Sequence, residues 1–523
     1  LKVNKAFFLK NSLVAIILLL IGFNLSYSLI NCWDFVTDDA FISWRYAEQL
    51  AQGNGLLWTA NKLPVEGYSN FTWILLAYLV IKLGLPLIPS LKVVATGCLL
   101  LAFFLLYRCA RLFGSPFYAL LSVYLFSCYK GLYWWTVSGL ETSLFIMLVL
   151  LFTFLLLQLF SDTKQNNRGS CFWLCISLTL LSLTRFEGIL WLVFAGLYII
   201  CPWFHAGDAR EKLWKPTLKP AAICFILGFL LPYSIYFVWR LTYFGQWLPN
   251  SYLCKWMSSF YPSIASYYRF FLIQDYLAIS FPSLIIGLPY LMARYDCRHL
   301  LLWLPSLAYA LLLWDANPVI AHYNRLFLPA FALVCILPPL GINESLHYFS
   351  ISNRYKQLIC LLAILLLAFS SIPSIKSEQI QSELGHYQQR SALRLKVSQL
   401  INQHAKKNAR ILVSDCGVIP YFGRSDLEFI DSECLNNRDM TQYNSLELYA
   451  VNLMQNARPD WIIYSVNELG RANDLMEILM AKGFLNHYHL VGVFPLYATR
   501  TNGQRFADFT YRVYRCLPDY CKY

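Results

Sequence analysis

The chain has 523 residues, of which 58% are hydrophobic, 17% aromatic and only 14% charged, with a mean hydropathy of +0.48. Soluble proteins carry charge on about a quarter of their residues, so this composition excludes a wholly soluble fold. Repeated apolar runs of about 20 residues point to a polytopic helical membrane protein. The net charge of +13 lies largely in short loops between those runs, as the positive-inside rule requires and a nucleic-acid surface would not.

The first apolar run, residues 12–30, follows Lys2, Lys5 and Lys10. It is too long for a secretory leader and no small-residue cleavage site follows, so it reads as an uncleaved helix with its N-terminus in the cytoplasm. The chain then enters an external loop, residues 31–90. Its apolar part, 71–84, is short for a span and reads as a helix lying at the interface. Residues 91–107 return inward to Arg108 and Arg111. Residues 117–133 run outward to an aromatic belt at Tyr133, Trp134 and Trp135. The segments 143–160, 171–183, 189–203, 221–239, 277–292, 300–314, 326–340 and 358–372 then alternate in direction. That makes about eleven crossings and leaves the C-terminal region outside.

This order sorts the loops. Each loop placed inside carries at least two Lys or Arg, as at Arg210, Lys212, Lys215 and Lys219. The polar clusters Asp38–Asp39, Glu66, Glu141, Arg185–Glu187, Lys255 and His322–Arg325 all fall on the outer face. An external carboxylate there can take a proton from an acceptor hydroxyl. External Arg and Lys side chains can balance the charge of a lipid phosphate and make it a leaving group. A helical bundle offers an apolar groove for the lipid tail. Residue chemistry alone therefore reaches a membrane group transferase with an anionic lipid donor. No glycine-rich phosphate loop, zinc-ligand spacing, heptad run or internal repeat accompanies it.

Beyond Ser374 the character changes to a small soluble α/β domain. Residues 376–410 are polar and read as helical. Ile411-Leu412-Val413 and Ile462-Ile463-Tyr464 mark short buried strands, and 446–456 and 473–482 have helical period. The expected domains are thus 1–373, membrane-embedded with the first external loop, and 374–523, periplasmic. Of sixteen cysteines, most lie in apolar runs as small buried hydrophobes. Four lie in the external domain: Cys416, Cys434, Cys516 and Cys521. The simplest pairing is Cys416–Cys434 and Cys516–Cys521, with other pairings open.

One ordered set of motifs carries a family resemblance. Asp38-Asp39-Ala40-Phe41-Ile42-Ser43-Trp44-Arg45-Tyr46, followed by Val65-Glu66-Gly67-Tyr68-Ser69-Asn70, resembles the first external loop of GT-C glycosyltransferases, polytopic enzymes that use polyprenyl-phosphate sugars. Further pieces match in order: Ser138-Gly139-Leu140-Glu141-Thr142, Thr184-Arg185-Phe186-Glu187-Gly188, Pro249-Asn250-Ser251-Tyr252-Leu253-Cys254-Lys255, Asn324-Arg325-Leu326 and Asp415-Cys416-Gly417. The nearest likeness is to the mycobacterial terminal β-(1→2)-arabinofuranosyltransferase family. Trp44 and Phe186 depart from it, standing where relatives often carry smaller residues or proline.

The resemblance implies an inverting transfer with no required cofactor, a divalent cation being optional. One of Asp38 and Asp39 is then the general base. Lys255, Arg325, His322 and Tyr252 would hold the donor phosphate. Arg45, Glu66, Tyr68, Asn70, Glu141, Arg185, Glu187 and Asn250 would contact sugar or acceptor. The partners implied are a polyprenyl-phosphate sugar, a glycan or lipid-linked acceptor and membrane lipid, in a bacterial inner membrane with the active face in the periplasm. No residue identifies the sugar as arabinose. The competing reading is a transporter or lipid flippase that uses the external charges as a relay, which would call for ionisable residues mid-helix and a pseudo-repeat.

Overall fold

A computed structural model describes residues 2–59, 62–161, 168–201, 218–256, 266–294, 296–313, 318–347, 349, 351–371, 378–467, 469–499 and 505–521. The chain forms two compact units. The first comprises Leu1–Asp34, Lys92–Tyr236 and Ile264–Gln381; the second comprises Phe35–Leu91, Phe237–Ser263 and Ser382–Tyr523. The loop that follows the first helix therefore belongs to the same unit as residues 382–523.

Among the described residues, six helices are long and apolar enough to cross a bilayer. They are Ser12–Cys32, Leu87–Arg111, Thr142–Leu159, Ala221–Phe244, Gln274–Ala293 and Leu328–His347. Shorter apolar helices occupy Phe71–Lys82, Pro116–Ser127, Gly169–Thr184, Phe186–Ile200, Cys297–Leu312 and Tyr355–Ser370. Each of the eleven segments read as crossings overlaps one of these helices. Ser12–Cys32 displays apolar side chains outward, with Leu19 and Ile30 about three-quarters exposed (73% and 76%), which is stable only against lipid. Within the first unit, Ser266–Ala293 packs on Leu337–His347. A Cβ on Gly341 would lie 1.9 Å from the Ile286 carbonyl oxygen, and one on Gly287 would lie 2.6 Å from Leu337 Cβ. Small residues here let two backbones meet, the usual device where lipid removes the hydrophobic drive for helix association.

The second unit carries one five-stranded sheet: β1 (Arg410–Val413), β2 (Glu428–Asp431), β3 (Trp461–Asn467), β4 (Tyr488–Thr499) and β5 (Arg505–Cys516). The order is β2-β1-β3-β5-β4. β1 is parallel to β2 and β3, while β5 is antiparallel to β3 and β4. Ile411, Leu412, Val413, Ile462 and Ile463 are all fully buried, as continuous apolar strands at the centre of the parallel part of this mixed sheet are expected to be. Three strands escaped the sequence pattern. β2 is four residues long, Gly492 and Pro495 interrupt β4, and Arg512 and Arg515 interrupt the alternation of β5. The helices were legible. Ser445 caps Leu446–Asn452 by accepting from the Leu448 N–H at 3.2 Å, and Asn473 caps Asp474–Ala481 by accepting from Met476 at 3.0 Å.

The disulfides require one correction. Cys516 pairs with Cys521, but Cys434 pairs with Cys254, and Cys416 is a buried free thiol. Cys416 follows β1 at the strand end, where its thiol faces the Asp431 carboxylate. Cys434 instead lies against the helix Asn250–Trp256, whose first residue donates its amide to the Cys434 carbonyl at 2.7 Å. The Cys254–Cys434 bridge spans 180 residues of sequence. Closing a loop of that size limits the unfolded chain strongly. Cys254→Ser is expected to cost about 4–5 kcal/mol, read as a lowered denaturation midpoint of the purified protein. An unchanged midpoint would show that the bridge does not form.

Candidate active site

The helix Asp38–Ala51 is the organising element of the second unit. Its buried face includes Phe41, Trp44, Arg45 and Tyr46, and it grips the short helix Val418–Tyr421 at both ends. Asp38 Oδ1 accepts from the Val418 N–H at 2.9 Å and Oδ2 from the Gly417 N–H at 3.2 Å. Arg45 Nη1 donates to the Pro420 carbonyl and Nε to the Trp58 carbonyl. A carboxylate thus meets the N–H end of the short helix and a guanidinium its C=O end, each where the backbone leaves groups without helical partners. Phe41 packs edge-on against Tyr421 at 5.2 Å, with Trp44 beside it. Only glycine fits at 417, because a Cβ there would lie 2.1 Å from the Asp38 carbonyl oxygen and 2.7 Å from Oδ2.

The docking point has a topological reason. Asp415, Cys416 and Gly417 leave the C-terminal end of β1, and Asp431 ends β2. The carboxyl ends of parallel strands are where open α/β sheets present their binding groups. Arg394, on the helix Glu378–His404, bridges this edge to the loop, with Nε 3.3 Å from Asp38 Oδ1 and 3.1 Å from Asp415 Oδ2. The Tyr511 hydroxyl donates to the same Asp415 oxygen. Asp39, the next residue on the helix, is exposed and makes no hydrogen bond or ion pair with any described residue. The two adjacent carboxylates therefore differ: Asp38 accepts two backbone hydrogen bonds and is ion-paired with Arg394, and Asp39 faces outward.

Most other loop residues named from sequence are interior. Glu66 is buried and accepts from Arg240 Nε at 2.6 Å, while its carbonyl accepts from the Asn250 N–H at 3.0 Å. Tyr68 is buried against the Tyr46 ring at 4.8 Å. Asn70 exchanges hydrogen bonds with Ser43. Asn250, wholly buried, holds the Cys434 and Leu435 carbonyls. These residues knit the loop to the region after β2. Tyr252 is half-exposed. The side chains of Lys255 and His322 lie outside the described residues.

A second charged cluster belongs to the first unit. Glu141, 1% exposed, accepts on one oxygen from Arg185 Nη1 at 2.5 Å and from Arg325 Nη2 at 3.0 Å. Arg185 also pairs with Glu187, and Arg325 lies over the Trp135 ring at 5.0 Å. Tyr323 and Asn324, just before Arg325, both adopt left-handed backbone (φ 48° and 54°). Two consecutive residues there cost roughly 1–3 kcal/mol each. The Asn324 amide donates to the Tyr129 hydroxyl at 3.0 Å, which helps hold the turn that delivers Arg325.

Electrostatics in the second unit run against the usual carboxylate pattern. Burial raises Asp38 to about 6, and Arg394 only partly offsets it. Burial raises Glu66 to about 7 against the pull of Arg240, and raises Glu433 to about 7 despite its hydrogen bond from Asn473. A carboxyl that binds its proton more tightly when folded adds stability below its unfolded value, and that stability is lost as pH rises through the folded value. Thermal unfolding temperature is accordingly expected to rise as pH falls from about 8 to about 5. A midpoint that instead falls steadily over that window would contradict these assignments.

Arg394, Arg240 and Tyr511 were not picked out from sequence. His386, Arg390 and Arg394 recur every four residues on one helix, a stripe that marks a shared face, and Asp415 lies two residues beyond a buried strand. Those were the available signals.

A family model described as a domain of unknown function, DUF8728, matches residues 378–514. No curated protein matches by sequence. Among solved structures, ArnT from Cupriavidus metallidurans bound to undecaprenyl phosphate superimposes with a TM-score of 0.54 at 12% identity, covering 96% of this chain and 97% of that one. The archaeal oligosaccharyltransferase AglB from Archaeoglobus fulgidus, in complex with an inhibitory peptide and a dolichol-phosphate, gives 0.55 at 11% identity, covering 95% of this chain and 74% of that one. The described chain, with its apolar helices and small C-terminal sheet, has the GT-C glycosyltransferase fold.

Proposed function

We propose that the protein is a membrane glycosyltransferase that moves a sugar from a polyprenyl-phosphate donor to a cell-envelope glycan or lipid acceptor. The observation that carries this reading is the outward-facing Asp39 carboxylate on a helix locked in place by Asp38 and Arg45, within a GT-C fold. A general base needs an uncommitted lone pair within reach of the acceptor hydroxyl. Asp39 is exposed and makes no hydrogen bond or ion pair with any described residue, whereas Asp38 already accepts from two backbone N–H groups and pairs with Arg394. In the reaction, the acceptor oxygen attacks the anomeric carbon, its proton passes to Asp39, and the bond from the anomeric carbon to the phosphate oxygen breaks. Polyprenyl phosphate leaves and the anomeric configuration inverts.

Arg325 is assigned to the donor phosphate, with Lys255, His322 and Tyr252 as further candidates. Glu141 holds both Arg325 and Arg185, and Glu187 pairs with Arg185. The interior positions of Arg45, Glu66, Tyr68, Asn70 and Asn250 support a role in shaping the loop. No cofactor is required in this reading, because Arg394 supplies a fixed cation between Asp38 and Asp415; a divalent cation is optional. The site is assigned to the periplasmic face of a bacterial inner membrane, with a cytoplasmic N-terminus, a periplasmic C-terminal domain and about eleven crossings. The Cys254–Cys434 and Cys516–Cys521 bridges support an oxidising compartment for the second unit.

The resemblance to arabinofuranosyltransferases leaves the sugar to experiment. Purified protein in liposomes is incubated with a panel of radiolabelled undecaprenyl-phosphate pentoses and hexoses, envelope glycolipid extract and EDTA. Label in a new product together with free undecaprenyl phosphate is the expected result. Activity that vanishes with EDTA and returns with a divalent cation would refute the cofactor-free mechanism.

A further inference from the structure

We infer that the first unit carries a binding site for the headgroup of an anionic phospholipid, where the helix Ser266–Ala293 ends and the helix Leu300–Leu312 begins, with Arg294 and His299 as the phosphate contacts. The site is separate from the transfer reaction proposed above.

A cleft of about 200 Å³ opens at this junction. Its polar wall includes Arg294, Asp296 and His299, and its apolar wall Leu291, Leu300 and Trp303. Two unbridged thiols, Cys201 and Cys297, line it as well. His299 is the informative group. It is only 5% exposed, yet its Nε2 has no hydrogen-bond partner among the described residues. A buried ring nitrogen left unmatched costs free energy, so it calls for a partner from outside the chain. The ring is held in place by Tyr290 at 4.9 Å and Phe113 at 6.2 Å. Arg294 lies over the same Tyr290 ring at 5.6 Å. One aromatic side chain thus sets both groups at the cleft.

The charges favour an anion. Asp296 is already matched: Oδ1 accepts from the Arg298 N–H at 2.9 Å and Oδ2 from Arg298 Nε at 2.6 Å. Arg298 also lies over the Phe113 ring and donates to the Leu112 carbonyl at 3.4 Å. Arg294 has a long contact to Glu344 at 3.7 Å and a largely exposed side chain, an arrangement that holds a guanidinium weakly. A phosphate offers it a closer, charge-assisted partner, and a second phosphate oxygen can accept from His299 Nε2. The thiols are weak hydrogen-bonding groups. Among the described residues no three His, Cys, Asp or Glu side chains are placed to hold a metal ion.

The position of the cleft makes the phosphate that of a lipid. It opens at the end of Gln274–Ala293, a helix long and apolar enough to cross a bilayer. Leu288 and Met292 on that helix, and Leu307 and Leu311 on the next, are exposed apolar side chains, along which acyl chains can lie while the headgroup enters the cleft. Arg108 and Arg111 are exposed at the end of Leu87–Arg111, beside the Leu112 and Phe113 that Arg298 touches. They add positive charge at the same level. In the topology proposed above this end meets the cytoplasmic leaflet, whose surface is negative.

The test is protection of the two thiols by lipid. Purified protein in non-ionic detergent is treated with N-ethylmaleimide, and modification of Cys201 and Cys297 is followed by peptide mass mapping. Cys171, half-buried on Arg168–Thr184, is the internal reference. Phosphatidylglycerol should slow modification of Cys201 and Cys297 about tenfold when present at about ten times its half-effect concentration, and leave Cys171 unchanged. Phosphatidylcholine and glycerol phosphate, each at that concentration, should protect neither thiol. Two variants should each abolish protection with melting temperatures near native: Arg294→Gln, at an exposed position, and His299→Phe, which keeps a ring between Tyr290 and Phe113. Equal protection by the two lipids, or none by either, overturns the inference. So does protection by glycerol phosphate, protection that survives either substitution, or a failure of both thiols to react before lipid is added. Sugar transfer is not read in this experiment, so its failure leaves the glycosyltransferase reading standing.

Discussion

Asp39→Asn is expected to reduce sugar transfer by about 10²–10⁴-fold, the range a positioned general base supplies, with expression and melting temperature close to native. The side chain is exposed and makes no hydrogen bond or ion pair with any described residue, so the amide costs the fold little. Asp38→Asn should behave differently. It removes charge from a carboxyl that accepts from the Gly417 and Val418 N–H groups and pairs with Arg394. An amide oxygen can keep one of those contacts, while its NH₂ meets donors rather than acceptors. Transfer should therefore fall less than in Asp39→Asn, and the rise in melting temperature towards low pH should flatten. If Asp38→Asn is inactive and Asp39→Asn retains native turnover, the roles of the two residues are reversed.

Within the first unit, a large effect on stability is expected from Glu141→Ala. That change leaves Arg185 and Arg325 buried together without the carboxylate that both use. Removing one partner of a buried ion pair costs about 3–5 kcal/mol, because the remaining charge is left desolvated. Arg185 keeps Glu187, which places the loss toward the lower end. The check is the denaturation midpoint in detergent for Glu141→Ala beside Glu141→Gln, which keeps a hydrogen-bond acceptor and should lose less. Equal midpoints for native and Glu141→Ala would mean that the carboxylate does not hold the two guanidiniums.

Sequence and structure agree where a strong local signal exists. The long apolar runs became helices, the Asp38–Asp39 pair sits at the start of one, and Asn473 and Ser445 cap the helices whose period was visible. What escaped depends on pairing across long stretches of chain. Cys254 meets Cys434 only because the helix Asn250–Trp256 docks on the residues after β2, a contact no cysteine spacing encodes. Arg240 appeared as one charge near the end of an apolar helix, and its meaning came only with Glu66. The difference between Asp38 and Asp39 is also tertiary. Both are aspartates in one turn, and only the backbone of Gly417 and Val418 separates a held carboxylate from an open one.

The most direct test of the central claim is a single reconstitution that follows both halves of the donor. Native protein in liposomes receives undecaprenyl-phosphate sugar labelled differently in lipid and sugar, with the acceptor extract outside. The account predicts that free undecaprenyl phosphate and sugar-labelled product accumulate in equal amounts, with inverted configuration at the anomeric carbon. Donor that crosses to the other leaflet intact, with both labels still joined, would contradict it and establish the transporter reading instead.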